Sequence, residues 1–136
     1  MTMMLVIVLA FVALAILVWK LWKPVVSPPK KEVAPNEARL TMFYTEWCGF
    51  SQKAMPEWAK LEQKLGGDGY FGKTHLNLVK IDADKDKKTA TLYGINAYPT
   101  VVLETKEGSF DFDKRVTADN LLAFLRSHLG QEGKSL

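Results

Sequence analysis

Apolar residues run without interruption from Met3 to Trp19, and apolar character resumes after Lys20 with Leu21 and Trp22. Such a run predicts a helix about long enough to cross a hydrocarbon core, with Trp19 and Trp22 placed as interface anchors and Lys20 able to snorkel. Further along, short apolar or β-branched runs at Leu40–Tyr44, Leu76–Ile81 and Thr100–Leu103 predict buried strands, and the turn at Gly108 leads into another over Ser109–Phe112. Between them the period changes. Ala54, Trp58, Leu61 and Leu65 recur at helical spacing over Ser51–Leu65, which Gly66-Gly67-Asp68-Gly69 ends. Lys85–Tyr93 reads as a short helix stopped at Gly94. Thr117 is placed to cap a last helix that buries Leu121, Leu122, Leu125 and Leu129, with Phe124 beside them. The order β-α-β-α-β-β-α predicts an α/β domain, a mixed four-stranded sheet with flanking helices, preceded by one transmembrane helix.

The same pattern divides the chain into an anchor over 1–23, a linker over 24–35 rich in proline (Pro24, Pro28, Pro29, Pro35), and a folded domain over 36–136. A cleaved signal peptide is the rival reading of the first segment. The absence of a basic stretch before Leu5 and of a small-x-small site between Trp19 and Pro24 favours a retained single-pass anchor. Lys20, Lys23, Lys30 and Lys31 against Glu32 carry the whole formal charge of +3. By the positive-inside tendency they place the C-terminal domain in the cytosol, with an endoplasmic-reticulum lumenal placement as the alternative. From Asn36 onward the charge balances, which argues against a basic nucleic-acid groove. Paired anchors would make a dimer and bring two thiols within reach.

The chemistry concentrates at the chain's one cysteine, Cys48, which lies between a strand-like run and a helix-like run. A thiol at a helix N-terminus meets unpaired backbone N–H groups that favour its thiolate. Ser51 stands where a second thiol would complete Cys-x-x-Cys, so internal disulfide cycling is excluded. Glu46 either faces solvent or opposes the thiolate by like-charge repulsion. Asp82-Ala83-Asp84-Lys85-Asp86 imitates the start of a calcium loop, but Lys87 occupies the place of the turning glycine and Tyr93 that of the bidentate glutamate, so it reads as a solvated helix entry. His75 and His128 lack neighbours that would make them ligands or bases, and Trp58 lies on the apolar stripe of its helix.

Phe43-Tyr44-Thr45-Glu46-Trp47-Cys48-Gly49-Phe50-Ser51, the helix proline in Ala54-Met55-Pro56-Glu57-Trp58, Lys80-Ile81-Asp82 and Leu92-Tyr93-Gly94-Ile95-Asn96-Ala97-Tyr98-Pro99-Thr100 together resemble the thioredoxin family, in its thioredoxin and protein-disulfide-isomerase branch. The resemblance covers approximately Glu37 to Leu129. It implies a thioredoxin fold in which Trp47 shapes the redox face and cis-Pro99 faces the thiol, leaving the backbone at Tyr98 free for a substrate segment. Three departures mark a one-cysteine variant: Ser51 for the resolving cysteine, Met42 where a buried acid is common, and anchor and spacer in place of the family's opening strand and helix.

The resemblance implies Cys48 as nucleophile with Ser51 as its hydrogen-bond donor, and Trp47, Gly49, Phe50, Tyr98 and Pro99 as the substrate face. The partners are then proteins bearing a disulfide or reactive cysteine; no bound cofactor is expected, and glutathione is a candidate resolving thiol. A redox-inactive binding or structural module, tethered to a membrane, is the alternative. Cys-Gly-Phe-Ser is also the signature of monothiol glutaredoxins, which carry glutathione or iron-sulfur clusters, but Glu46-Trp47 and Ala97-Tyr98-Pro99 depart from their pattern. Were Ser51 a replacement for a cysteine, the native activity would be that of a dithiol reductase or oxidase.

Overall fold

The computed structural model describes residues 1–21, 33–66 and 69–130. They separate into two compact units, one within Met1–Lys30 and one within Lys31–Leu136. The first contains α1 (Thr2–Leu21), whose described side chains, Met3, Phe11 and Leu17 among them, are exposed.

The expectation of a transmembrane anchor is corrected here. Among the described residues no helix is long and apolar enough to cross a membrane. The single-pass topology, the membrane as partner, the cytosolic placement with its lumenal alternative, and anchor-mediated pairing all rested on that span and fall with it. Most of the expected linker, including Pro24, Pro28 and Pro29, lies outside the described residues, as do Gly67 and Asp68.

The second unit is built on a sheet of order β2-β3-β1-β4-β5. Its elements are β1 (Glu37–Tyr44), α2 (Gly49–Lys64), β2 (Tyr70–Phe71), β3 (Thr74–Asp82), α3 (Lys87–Leu92), β4 (Thr100–Thr105), β5 (Gly108–Asp111) and α4 (Ala118–Leu129). β1 is central, parallel to β3 and antiparallel to β4, with Leu40 opposite both Leu78 and Leu103. Among the described residues the sheet has five strands rather than the expected four. The addition is β2, which pairs antiparallel with the start of β3 through Tyr70–His75 and Phe71–Thr74. The connecting Gly72 has φ 62°, a left-handed conformation open to glycine at little cost.

Alternation along β1 distributes the core between two faces. Ala38, Leu40 and Met42 join Trp58 and Leu61 of α2, Leu121 and Leu125 of α4, and Val101 and Leu103 of β4 in one cluster. Phe43 and Val102 point the other way, toward Ala83 and Ala90. Each fully buried large apolar side chain contributes roughly 1.5–3 kcal/mol, so the sheet is held from both sides and its C-terminal edge is fixed. α3 begins at Lys87, two residues later than the sequence predicts. The preceding residues form a turn, with the Lys85 and Asp86 N–H groups donating to the Asp82 carbonyl at 3.1 and 2.8 Å and the Asp86 carboxylate capping Thr89. The Asp82 and Asp86 carboxylates of the calcium-like run are thus engaged in local turn chemistry, accepting the Asp84 and Thr89 N–H groups.

Candidate functional site

The site forms where β1 leaves the sheet. The Ala83 N–H donates to the Tyr44 carbonyl at 2.8 Å, tying the end of β1 to the end of β3. The chain then turns through Thr45–Trp47 and enters α2. Ser51, one turn into that helix and buried, receives the Thr45 N–H on its hydroxyl at 3.4 Å, and the Gln52 side chain donates to the Glu46 carbonyl at 2.8 Å. These bonds close the loop around Cys48, the N-cap residue of α2, whose backbone is extended (φ −80°, ψ 119°). The first helical bond, from the Gln52 N–H, goes to the Cys48 carbonyl at 3.0 Å.

The Cys48 thiol is half-buried and free. The Ser51 N–H holds it below the ordinary thiol value; partial burial works against this, while the Phe50 N–H and the Ser51 hydroxyl reinforce it. The neutral S–H donates to the Tyr98 carbonyl at 3.4 Å. A carbonyl can pair only with the protonated form, so the sulfur sits between one group that favours the thiol and several that favour the thiolate, and the latter prevail.

Of the other residues predicted for the site, Trp47, Gly49 and Phe50 are exposed and Tyr98 and Pro99 half-buried, and the Tyr98–Pro99 bond is cis. Trp47 meets Tyr98 edge to face at 6.3 Å between centroids, while its indole N–H donates to Asp84 at 2.9 Å. Gly49 opens α2, and a Cβ there would meet nothing within 4 Å. Tyr98 thus meets both Cys48 and Trp47, and Phe50, Tyr98 and Pro99 line one space, while Ser51 is buried and its hydroxyl bonds Thr45. His75 and His128 lie elsewhere, packed against Tyr70 and against Phe110 and Phe124. Met42 is fully buried in the core.

Glu46 does face solvent, but it is paired: Lys85 bridges it to Asp82 with Nζ distances of 2.8 and 2.9 Å. That pairing holds the Lys85 ammonium well above its ordinary range. Sequence reasoning had no signal for Asp84 as the Trp47 partner, 37 residues distant. It also missed the far wall of the site. A cleft of about 390 Å³ runs from Phe50, Tyr98 and Pro99 along α2 to the segment before α4, lined by Lys53, Glu57, Lys114, Arg115 and Val116 among others. Among the described residues no group of His, Cys, Asp and Glu side chains could hold a metal ion.

Comparison with known proteins agrees with this architecture. Residues 27–127 match the family described as "Thioredoxin". A "Probable protein disulfide-isomerase A4" of Caenorhabditis elegans is 31% identical over 104 residues, covering 76% of this chain and 16% of that protein. "Protein disulfide isomerase-like 2-1" of Oryza sativa subsp. japonica is 34% identical over 101 residues, covering 72% and 26% respectively. The chain thus spans between about a sixth and about a quarter of these curated relatives. Among solved structures, the Trx4 domain of ERdj5 superposes with a TM-score of 0.56 at 25% identity, covering 69% of this chain and 81% of that one.

Proposed function

The chain belongs to the thioredoxin family, and we propose that residues 36–136 form a single-thiol exchange domain that captures partner proteins through Cys48. One observation carries this reading. Cys48 stands free and half-buried at the N-cap of α2, its thiol 3.4 Å from the Tyr98 carbonyl, while a buried serine occupies the place of a second thiol.

The Cys48 thiolate attacks one sulfur of a partner disulfide, forming a Cys48–partner disulfide and expelling the other sulfur as a thiolate, which takes a proton from water. Attack by an external thiolate on the Cys48 sulfur then frees the partner's thiol. A second external thiol regenerates Cys48 and leaves as the oxidised pair. Over the cycle one partner disulfide gains two electrons and two protons from two external thiols, with glutathione a suitable donor. Ser51 steadies the thiolate and cannot resolve the adduct. Exposed Trp47 and Phe50, with the Tyr98 backbone, receive the partner segment.

Full chain mixed with a disulfide-bearing protein should accumulate a Cys48-linked adduct on non-reducing gels. Added glutathione should convert that accumulation into turnover, and Cys48→Ser should abolish both. Persistence of exchange in Cys48→Ser would remove the nucleophile assignment. Noncovalent capture that survives Cys48→Ser, with no exchange in either protein, would favour the redox-inactive binding module.

A further inference from the structure

We propose that the cleft beside Cys48 selects an acidic segment of the disulfide-bearing partner, with Lys53, Lys114 and Arg115 as its specificity-determining residues. This rests on the exchange reading and names the partner chemistry that it leaves open. The cleft opens beside the thiol: Tyr98, which accepts the Cys48 S–H at 3.4 Å, is one of its lining residues, and so is Phe50, two residues after Cys48. From there Phe50, Tyr98, Pro99, Ala54 and Val116 form an apolar wall. Lys53 on α2 and Lys114 and Arg115 on the segment between β5 and α4 line the same space and are exposed. None of the three has an ion-pair partner among the described residues. The carboxylate among the lining residues, Glu57, is occupied: one oxygen accepts from Lys60, the other from the Ala118 N–H at 2.9 Å.

Charge from Asn36 onward is balanced, so this concentration of cations is local. Like charges gathered beside an apolar wall repel one another, and an anionic side chain laid between them relieves that repulsion. Around Trp47, on the other side of Cys48 in the chain, the cluster is different: Glu46 and Asp82 share Lys85, and Asp84 accepts the Trp47 indole N–H. The two flanks therefore orient as well as select. A partner segment crossing Cys48 is directed to lay its carboxylates on the Phe50 side, and a lysine or arginine there is rejected.

The test uses the reduced full chain and short peptides whose one cysteine is a 2-pyridyl mixed disulfide, flanked by glutamates, glutamines or lysines. Attack of the Cys48 thiolate on the peptide sulfur forms the Cys48–peptide disulfide and expels pyridine-2-thiolate, which takes up a proton and is followed as the thione. At low salt the glutamate peptide should react at least about fivefold faster than the lysine peptide, and the ratio should approach unity near about 1 M salt. Lys114→Glu with Arg115→Glu should invert it. Reversal at Lys87 and Lys88, exposed on α3 and outside the cleft, changes net charge equally and should leave the ratio in place. Equal rates for the two peptides, or a ratio unmoved by the cleft variant, overturn the charge selection while Cys48-dependent thione release still upholds exchange. Glutathione disulfide reacting as fast as the glutamate peptide, and slowed equally by the cleft variant, overturns the choice of a protein segment. Absence of any Cys48-dependent release removes the exchange reading and this proposal with it.

Discussion

Ser51 serves two neighbours at once, and the two services can be separated. Its backbone N–H is the largest influence lowering the Cys48 pKa, and its hydroxyl the smallest. The same hydroxyl accepts the buried Thr45 N–H at 3.4 Å. Ser51→Ala leaves the N–H in place, so the half-point of Cys48 alkylation against pH should rise yet stay below that of free cysteine. Thr45 loses its acceptor, and the urea midpoint should fall by the equivalent of about 1 kcal/mol, the cost of an unmet buried donor at the weak end of the range. An alkylation half-point in wild type equal to that of free cysteine would show that the helix terminus does not activate the thiol. A lowered folded pKa also fixes a sign. Between the folded and unfolded thiol values the unfolded chain holds more protons, so stability should rise with pH there in wild type and not in Cys48→Ser.

At the scale of elements, α2 carries the thiol at one end and is fastened to α4 near its middle. Glu57 receives the Ala118 N–H at the start of α4 and pairs with Lys60, and Lys64 reaches Asp119. The Lys60 ammonium first, then the Ala118 N–H, hold the Glu57 carboxyl below its ordinary value. Its contribution is therefore complete above the unfolded carboxyl pKa and is lost as pH falls through the folded one. Urea midpoints at neutral pH should rank wild type above Glu57→Gln above Glu57→Ala, and the gap between wild type and Glu57→Gln should close in acid. A gap independent of pH would mean that packing, not charge, links the helices. Wherever side-chain period alone decides an element, as in α2, β4 and α4, the sequence pattern places it within a few residues. β2 escapes because two residues, Tyr70–Phe71, carry no period; pairing with β3 makes them a strand. β1 begins at Glu37, earlier than its apolar run, because Arg39 lies opposite Glu104 on β4 and their charges pair across the sheet at 3.7 Å. The thiol and its immediate companions were legible because motif and helix start coincide. The cationic wall was not, because Lys53 and Lys114 meet only after α4 packs back on α2.

For the molecule as a whole, the presence of Cys48 without a second cysteine at position 51 means that, in the proposed exchange, capture and release would be divided between two participants. On the exchange reading proposed above, the captured partner remains bound until a thiol arrives from outside, so the lifetime of the adduct is set by the surroundings. Replacing one buried atom should abolish that dependence. In Ser51→Cys the new sulfur takes the place of a hydroxyl that already addresses Cys48 from one helical turn away, close enough to attack the Cys48 side of the mixed disulfide without a diffusive encounter. The lifetime of the adduct without external thiol should fall by at least about tenfold through proximity alone. Position 51 is 1% exposed, and burial pushes a thiol upward. Release should therefore accelerate with rising pH beyond the range in which Cys48 itself becomes thiolate, separating the two titrations in one experiment. Quenching the purified adduct with acid at intervals and counting the remaining disulfide across a pH series measures both effects. An adduct as persistent in Ser51→Cys as in wild type at every pH would place the bound sulfur out of reach of α2, and the missing second thiol would no longer explain why the partner stays.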